Sequence, residues 1–366
     1  MTTRGRPSMN SWALLFLLTA VWSGPLKQVA SAASVEDVAL LKSSSREKIL
    51  IEGAKKEGKV NFYTALIVDQ VVRPVKDAFE KEYPFLQVEF FRGNSERIAQ
   101  KVLAEYQAKR YEVDVISGSA ATTMVQRAGY MQRFYSPHLA EYPPELKDPK
   151  GFWGSTNVYF MTLGYNTRSV KASEMTKTYE DLLNPRWKGQ TMWSTSRGSG
   201  APQFIGNILL TMGQEAGKAY IQKLKQQNIA KSTASARQIL DLVIAGEYPM
   251  AIQIFNHHAY ISKTAGAPVD WQPLEPVTAT NNSLGLAKNA PHPNAAMLFL
   301  DFVLSKKGQK VFQQSNYLPA HPEIPALQAD LKPGRGRFKK VNYLSPEILY
   351  DKSDDWADYF QKEFMK

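Results

Sequence analysis

Two adjacent imidazoles, His257 and His258, follow an apolar run at residues 248–255 (YPMAIQIF), with Asn256 before them and Tyr260 shortly after. A run of that kind reads as a strand, and Asn256 can cap a short helix running toward Gly266. Imidazoles in the first turn of a helix face its positive end, which disfavours their protonation. Neutral imidazoles donate hydrogen bonds to a polar ligand or bind a metal ion. Neighbours on a regular helix lie about 100° apart, so both rings reach one ion only if the helix starts irregularly. No cofactor and no metal are expected; were a metal held, His257 and His258 would be its donors.

Four further turns carry hydroxyls, amides and one guanidinium directly after strand-like runs. They are Thr64 and Ala65 after residues 59–63 (KVNFY), and Arg92, Gly93, Asn94 and Ser95 after residues 86–91 (LQVEFF). The others are Ser117, Gly118 and Ser119 after residues 112–116 (EVDVI), and residues 194–200 (STSRGSG), which include Ser196, Arg197 and Ser199. Serine and asparagine in such places also serve as ordinary helix caps. In open α/β sheets, however, ligands gather beyond the carboxyl ends of strands, where helix N-termini offer free N–H groups. The five turns converging on one cleft would form a site for a small polar or anionic molecule. Catalysis finds no comparable support. HExxH, GxSxG, the Walker GxxxxGK and a GxGxxG after a strand are all missing, and the carboxylates are not grouped as acid–base pairs. His138, His292 and His321 each stand beside a proline. No enzyme is expected.

The elements positioning these turns alternate. A helix is expected over residues 35–57, closed by Gly58, then strand–helix pairs through residue 116 and a helix from Ser119. A strand-like stretch at residues 156–166 has no regular crossover helix after it. A second series follows: strand 189–193, helices 202–212, 216–226 and 235–245, strand 248–255, extended chain at 269–273 and 283–287, and helices 293–304 and 307–313. The fold class is α/β, with two similar lobes joined by extended crossings. The expected boundaries are lobe 1 at 33–155 plus 272–330, lobe 2 at 156–271, and a C-terminal helical segment at 331–366 docked on a lobe. Trp356, Tyr359, Phe360 and Phe364 form an i, i+3, i+4, i+8 stripe suited to core packing. The basic run 332–340 (KPGRGRFKK) reads as a solvated loop.

The front of the chain reads as an export signal: Arg4 and Arg6, an apolar run at 13–21 (ALLFLLTAV), then Ala30, Ser31 and Ala32 as a peptidase site. Nine apolar residues rise only about 14 Å as a helix, against a hydrocarbon core of about 30 Å. Gly5 separates the two arginines, so a twin-arginine signal is not supported. Cleavage near Ala32 leaves 334 of 366 residues in the periplasm, and loss of Arg4, Arg6 and Lys27 lowers the formal charge from +11 to +8. With no cysteine, disulfides, thiolate nucleophiles and a lipoprotein anchor are excluded. Scattered basic residues on an exported chain do not suit nucleic acid, and a monomer is expected.

Several segments together resemble family-1 solute-binding proteins of ABC importers, the group that includes ferric-iron binders. They are KVNFYT (59–64), DVISGS (114–119), LGYNT (163–167), TYEDLLNPRWKGQ (178–190), IAGEYP (244–249), PNAAMLFLDFV (293–303), residues 308–312 and LSPEIL from 344. The resemblance implies the type II periplasmic-binding-protein fold, with two hinged lobes closing on a ligand that is delivered to an inner-membrane ABC permease and its ATPase. Ferric members place a His after the first strand, a Glu after the third and paired tyrosines after a later one. Here those places fall on Leu66 or Ile67, near Ser119, and on His257 and His258. Fe(III) favours phenolate and carboxylate oxygens over imidazole, so a small polar or anionic organic solute is expected, with ferric iron or a metal chelate as the alternative. An enzyme on the same fold using His257, and a receptor serving a sensor, are the remaining alternatives.

Overall fold

The computed structural model describes residues 34–196, 200–334 and 336–365. The chain opens with α1 (Val35–Ala39) and α2 (Arg46–Glu57), which ends at Gly58 with φ +73°, before β1 (Lys59–Thr64). The single helix expected over 35–57 is therefore broken. At the break the Ser45 N–H donates to the Ser43 hydroxyl, and short side-chain bonds of this kind compete with helical ones. A π-helical turn at Val68–Val72 leads into α3 (Arg73–Glu82), followed by β2 (Gln87–Arg92). Asn94 caps α4 (Ser95–Gln107), accepting the Arg97 N–H at 2.8 Å. β3 (Val115–Ser117), α5 (Ala121–Arg127) and β4 (Met131–Gln132) complete this half.

The long β5 (Gly154–Asn166) carries the chain into the second half. There follow β6 (Thr191–Ser194), α6 (Ala201–Met212), α7 (Gln214–Lys225), β7 (Ala230–Ser232), α8 (Ala236–Ala245), β8 (Met250–Phe255), α9 (Asn256–Thr264) and β9 (Val269–Gln272). β10 (Val277–Ala287) then returns, and α10 (Pro293–Leu304), α11 (Lys306–Gln314), β11 (Leu318–Pro319), β12 (Val341–Tyr343) and α12 (Pro346–Phe364) close the chain.

The strand order is β2-β1-β3-β10-β5-β8-β6-β7. β2, β1 and β3 are parallel to one another, as are β8, β6 and β7. Between these sets β10 and β5 run antiparallel, paired from Thr278↔Met161 to Leu284↔Gly154, with a register shift between Asn282 and Ser283. Parallel strands need covering on both faces, which the intervening helices supply. One core gathers Val60, Phe62, Phe79 and Phe299, with the Phe62 and Phe299 rings 5.0 Å apart. A second gathers Trp193, Phe204, Ile208, Trp356 and Phe360.

The C-terminal stretch departs from a freely solvated loop. Phe338 is buried against Phe160 and Trp271, and Lys332 donates to the Pro319 and Ile324 carbonyls. Arg337 pairs with Asp270 at 2.8 Å while lying over the Trp271 ring. A large ring and a guanidinium that stacks on tryptophan draw this basic run onto the surface of the protein. Of the aromatic stripe, Trp356, Phe360 and Phe364 are buried and Tyr359 is partly so. No helix among the described residues is long and apolar enough to cross a membrane.

Candidate functional site

On the first lobe, three turns meet above the carboxyl ends of β1, β2 and β3. The Ala65 N–H donates to the Ser117 carbonyl at 3.0 Å, the Gly93 N–H to the Thr64 carbonyl at 3.2 Å, and the Gly118 N–H to the Ser283 carbonyl at 3.0 Å. A Cβ on Gly118 would lie 3.0 Å from the Ser95 Oγ and 3.5 Å from the Ala65 Cβ, so these residues crowd together. Their hydroxyls are largely engaged. Thr64, fully buried, accepts the Leu66 N–H; Ser117 accepts from the Asn282 side chain at 2.6 Å; Ser119 donates to the Asn281 carbonyl at 2.6 Å. Asn94 is an exposed helix cap.

On the second lobe, the Ser196 N–H donates to the Ser194 hydroxyl, and the Ser196 carbonyl accepts the Gly200 N–H at 2.9 Å. Arg197 and Ser199 lie outside the described residues. Asn256 is not the cap of α9 but its first residue: its side chain turns away and donates to the Leu331 carbonyl at 2.9 Å. His257 and His258 follow, their ring centroids 4.3 Å apart and their planes tilted by 55°. His257 is only 2% exposed, and its Nδ1 has no partner; neither has the Nδ1 of His258. Burial depresses both imidazoles, with His258 adding to the effect on His257. His258 is lowered to about 4 by burial and then by the Arg237 charge. Both rings are thus neutral at ordinary pH. Tyr260 is half-buried one turn on.

Two tyrosines that sequence reasoning missed stand beside His257. Tyr159 on β5 and Tyr317 after α11 flank His257, with ring centroids 5.9 and 6.1 Å away. The Ile67 main chain, beyond β1, lies against the Tyr317 hydroxyl. Also missed is a buried polar ladder on the crossing strands. Asn281 donates to the Ser155 hydroxyl at 2.6 Å, Asn282 donates to Ser117 and Thr156, and the Thr156 hydroxyl donates to the Asn157 side-chain Oδ1 at 2.8 Å. Asn157 Nδ2 and Asn256 Oδ1 remain buried without partners. The signal was present: Asn-Asn-Ser at 281–283 interrupts a strand that is buried on both faces. Nothing in the local sequence marks Tyr317.

Among the described residues, no three His, Asp or Glu side chains come together as a group able to hold a metal ion. Two outlined surface pockets, of about 460 and 620 Å³, lie elsewhere, beside Arg46 and Asp301 and beside Tyr63 and His292 respectively. No candidate residue lines either.

The family profile of bacterial extracellular solute-binding proteins matches residues 111–345. The chain belongs to that family. Its members bind solutes and are not enzymes. Iron uptake protein A1 of Synechocystis is 22% identical over 66% of this chain and 69% of its own length. The Trichodesmium protein IdiA (FutA), solved with iron and citrate, superposes with a TM-score of 0.71 at 22% identity, covering 84% of this chain and 100% of that one. AfuA of Actinobacillus pleuropneumoniae, solved with fructose-6-phosphate, gives 0.67 at 21% identity over 84% and 99%. These likenesses show the type II periplasmic-binding-protein fold, in which crossing strands join two α/β lobes across a ligand cleft.

Proposed function

We propose that this protein is a periplasmic receptor that captures a small anionic organic solute between its lobes and delivers it to an inner-membrane ABC permease. Export through the leader with cleavage near Ala32 is part of the same reading, as are the lobe limits at 33–155 plus 272–330 and 156–271. The observation that supports the solute class is the neutral pair of buried His257 and half-buried His258, with no group of three His, Asp or Glu side chains able to hold a metal ion among the described residues. Neutral imidazoles and amide groups hydrogen-bond an anion, whereas a bare trivalent ion needs anionic oxygens. Arg197 is the proposed charge partner, with Ser95 and Ser196 as further donors, the Ser119 hydroxyl being committed to the Asn281 carbonyl. The fructose-6-phosphate bound to AfuA is a precedent for such a ligand on this fold.

A second reading is uptake of iron as an anionic chelate. It is favoured by the iron-named relatives and the citrate in the Trichodesmium protein. Calorimetric titration with fructose-6-phosphate, citrate, ferric citrate and ferric ion distinguishes the two. Saturable binding of an organic anion without iron is expected, and Arg197→Ala should weaken it about tenfold, near 1.4 kcal/mol, with little change in melting temperature. Binding of ferric ion alone, with no response to either organic anion, would overturn the organic-solute reading.

A further inference from the structure

The last helix touches both lobes, and its two ends are held by different chemistry. Its C-terminal half belongs to the second lobe. The Trp356 ring occupies the notch left by Gly206 on α6, Phe360 and Phe364 pack at 5.6 and 5.1 Å from Trp193, and Lys231 on β7 donates to the Phe364 carbonyl at 2.6 Å. In its first two turns Ile348 and Leu349 still join that lobe's core, while Glu347, Tyr350 and Asp351 reach the first lobe. Glu347 accepts the Trp153 indole N–H at 2.9 Å, just ahead of β5. Asp351 pairs with Arg127 at the end of α5 at 2.5 Å, and that guanidinium lies 4.3 Å from the centre of the Tyr350 ring.

A helix of 19 residues is a rod about 28 Å long and does not bend to follow two bodies at once. Any rotation of the lobes about β5 and β10 carries α12 with the second lobe, because that end is buried in its core. The bonds to Trp153 and Arg127 must then lengthen or break. The Arg127–Asp351 pair is solvent-exposed and the Trp153–Glu347 contact is a single part-buried hydrogen bond, so both give way more readily than the apolar end detaches. We propose that Glu347, Tyr350 and Asp351 latch α12 to the first lobe, and that this latch sets the balance between open and closed arrangements. They are positioning residues for solute capture, remote from the cleft. The proposal rests on the lobe-closure reading above. Apparent affinity scales with the fraction of molecules in the competent arrangement, so weakening the latch changes binding without touching the ligand.

Small-angle scattering of the ligand-free protein tests this without any ligand being known, so a wrong solute assignment leaves the test intact. Arg127→Ala, Glu347→Ala and the double variant are compared with wild type, together with hydrogen exchange along the 154–166 and 277–287 strands. Arg127 is a surface residue, so its variant should fold. The expected result is a radius of gyration displaced from wild type in each variant and most in the double, with faster exchange at the crossing. Arg127→Lys should restore part of the wild-type value, and 1 M salt should move wild type toward Arg127→Ala. Identical scattering and exchange in wild type and all three variants would overturn the proposal.

Discussion

His257 and His258 are held neutral mainly because their surroundings exclude water, and that has a defined consequence for acid stability. A depressed imidazole contributes stability that is complete above its unfolded value, near 6.5, and is lost as pH falls toward its folded value. For His258, lowered to about 4, the stability lost between about pH 6.5 and 4 is of order 3 kcal/mol. The neighbouring charges oppose one another, Arg237 pressing the value down and Asp241 up. Thermal melts across this window should fall steeply for wild type and flatten in His257→Gln/His258→Gln. His292 has the opposite sign, because its hydrogen bond to Asp114 raises it. Its contribution is present below about 6.5 and fades as pH rises through its folded value, so Asp114→Asn should cost stability chiefly on the acidic side of neutrality. At this scale the sequence marked the imidazoles and the turn serines. It did not reveal that Ser117 and Ser119 bond to β10, because their partners lie some 160 positions away.

Helices and strands were the most legible level, and for a physical reason: each is specified by its own periodicity and punctuation. Gly58 ends α2 in the left-handed conformation, Asn94 caps α4, and Ser235 and Gln238 form a reciprocal capping box on α8. Ser235→Ala should therefore cost about 1 kcal/mol, measurable by urea denaturation. Less legible were places where local and tertiary demands compete. The serines at 43–45 broke an otherwise helical pattern, and Phe338 pulled a basic loop inward. Gly206 is a sharper case. It sits inside α6 where glycine has no local merit, and its absent side chain admits Trp356, whose ring would lie 2.2 Å from an added Cβ. Gly206→Ala is expected to lower stability by about 1–3 kcal/mol and to raise exchange in α12, despite alanine's better helix propensity.

For the molecule as a whole, a ligand that binds only the folded, closed form stabilises it by mass action. At a ligand concentration of about 100 times Kd the gain is about 2.7 kcal/mol, so a melting-temperature screen of organic anions should single out the solute. The two-lobed α/β plan was readable from the alternation of elements. The meeting of Tyr159, Tyr317 and His257 was not, since three separate stretches of chain supply it.

The strand order also decides when this chain is able to fold. β3 cannot complete its pairing until β10 arrives, and Ser117 waits for Leu284. A fragment ending at residue 276 should consequently leave the β10-facing amides of residues 115–117 unprotected. A polypeptide that must be threaded N-terminus first through a narrow conduit gains from such a delay. Here the keystone comes from the last third of the chain, so the edge of β3 stays open until that stretch is available.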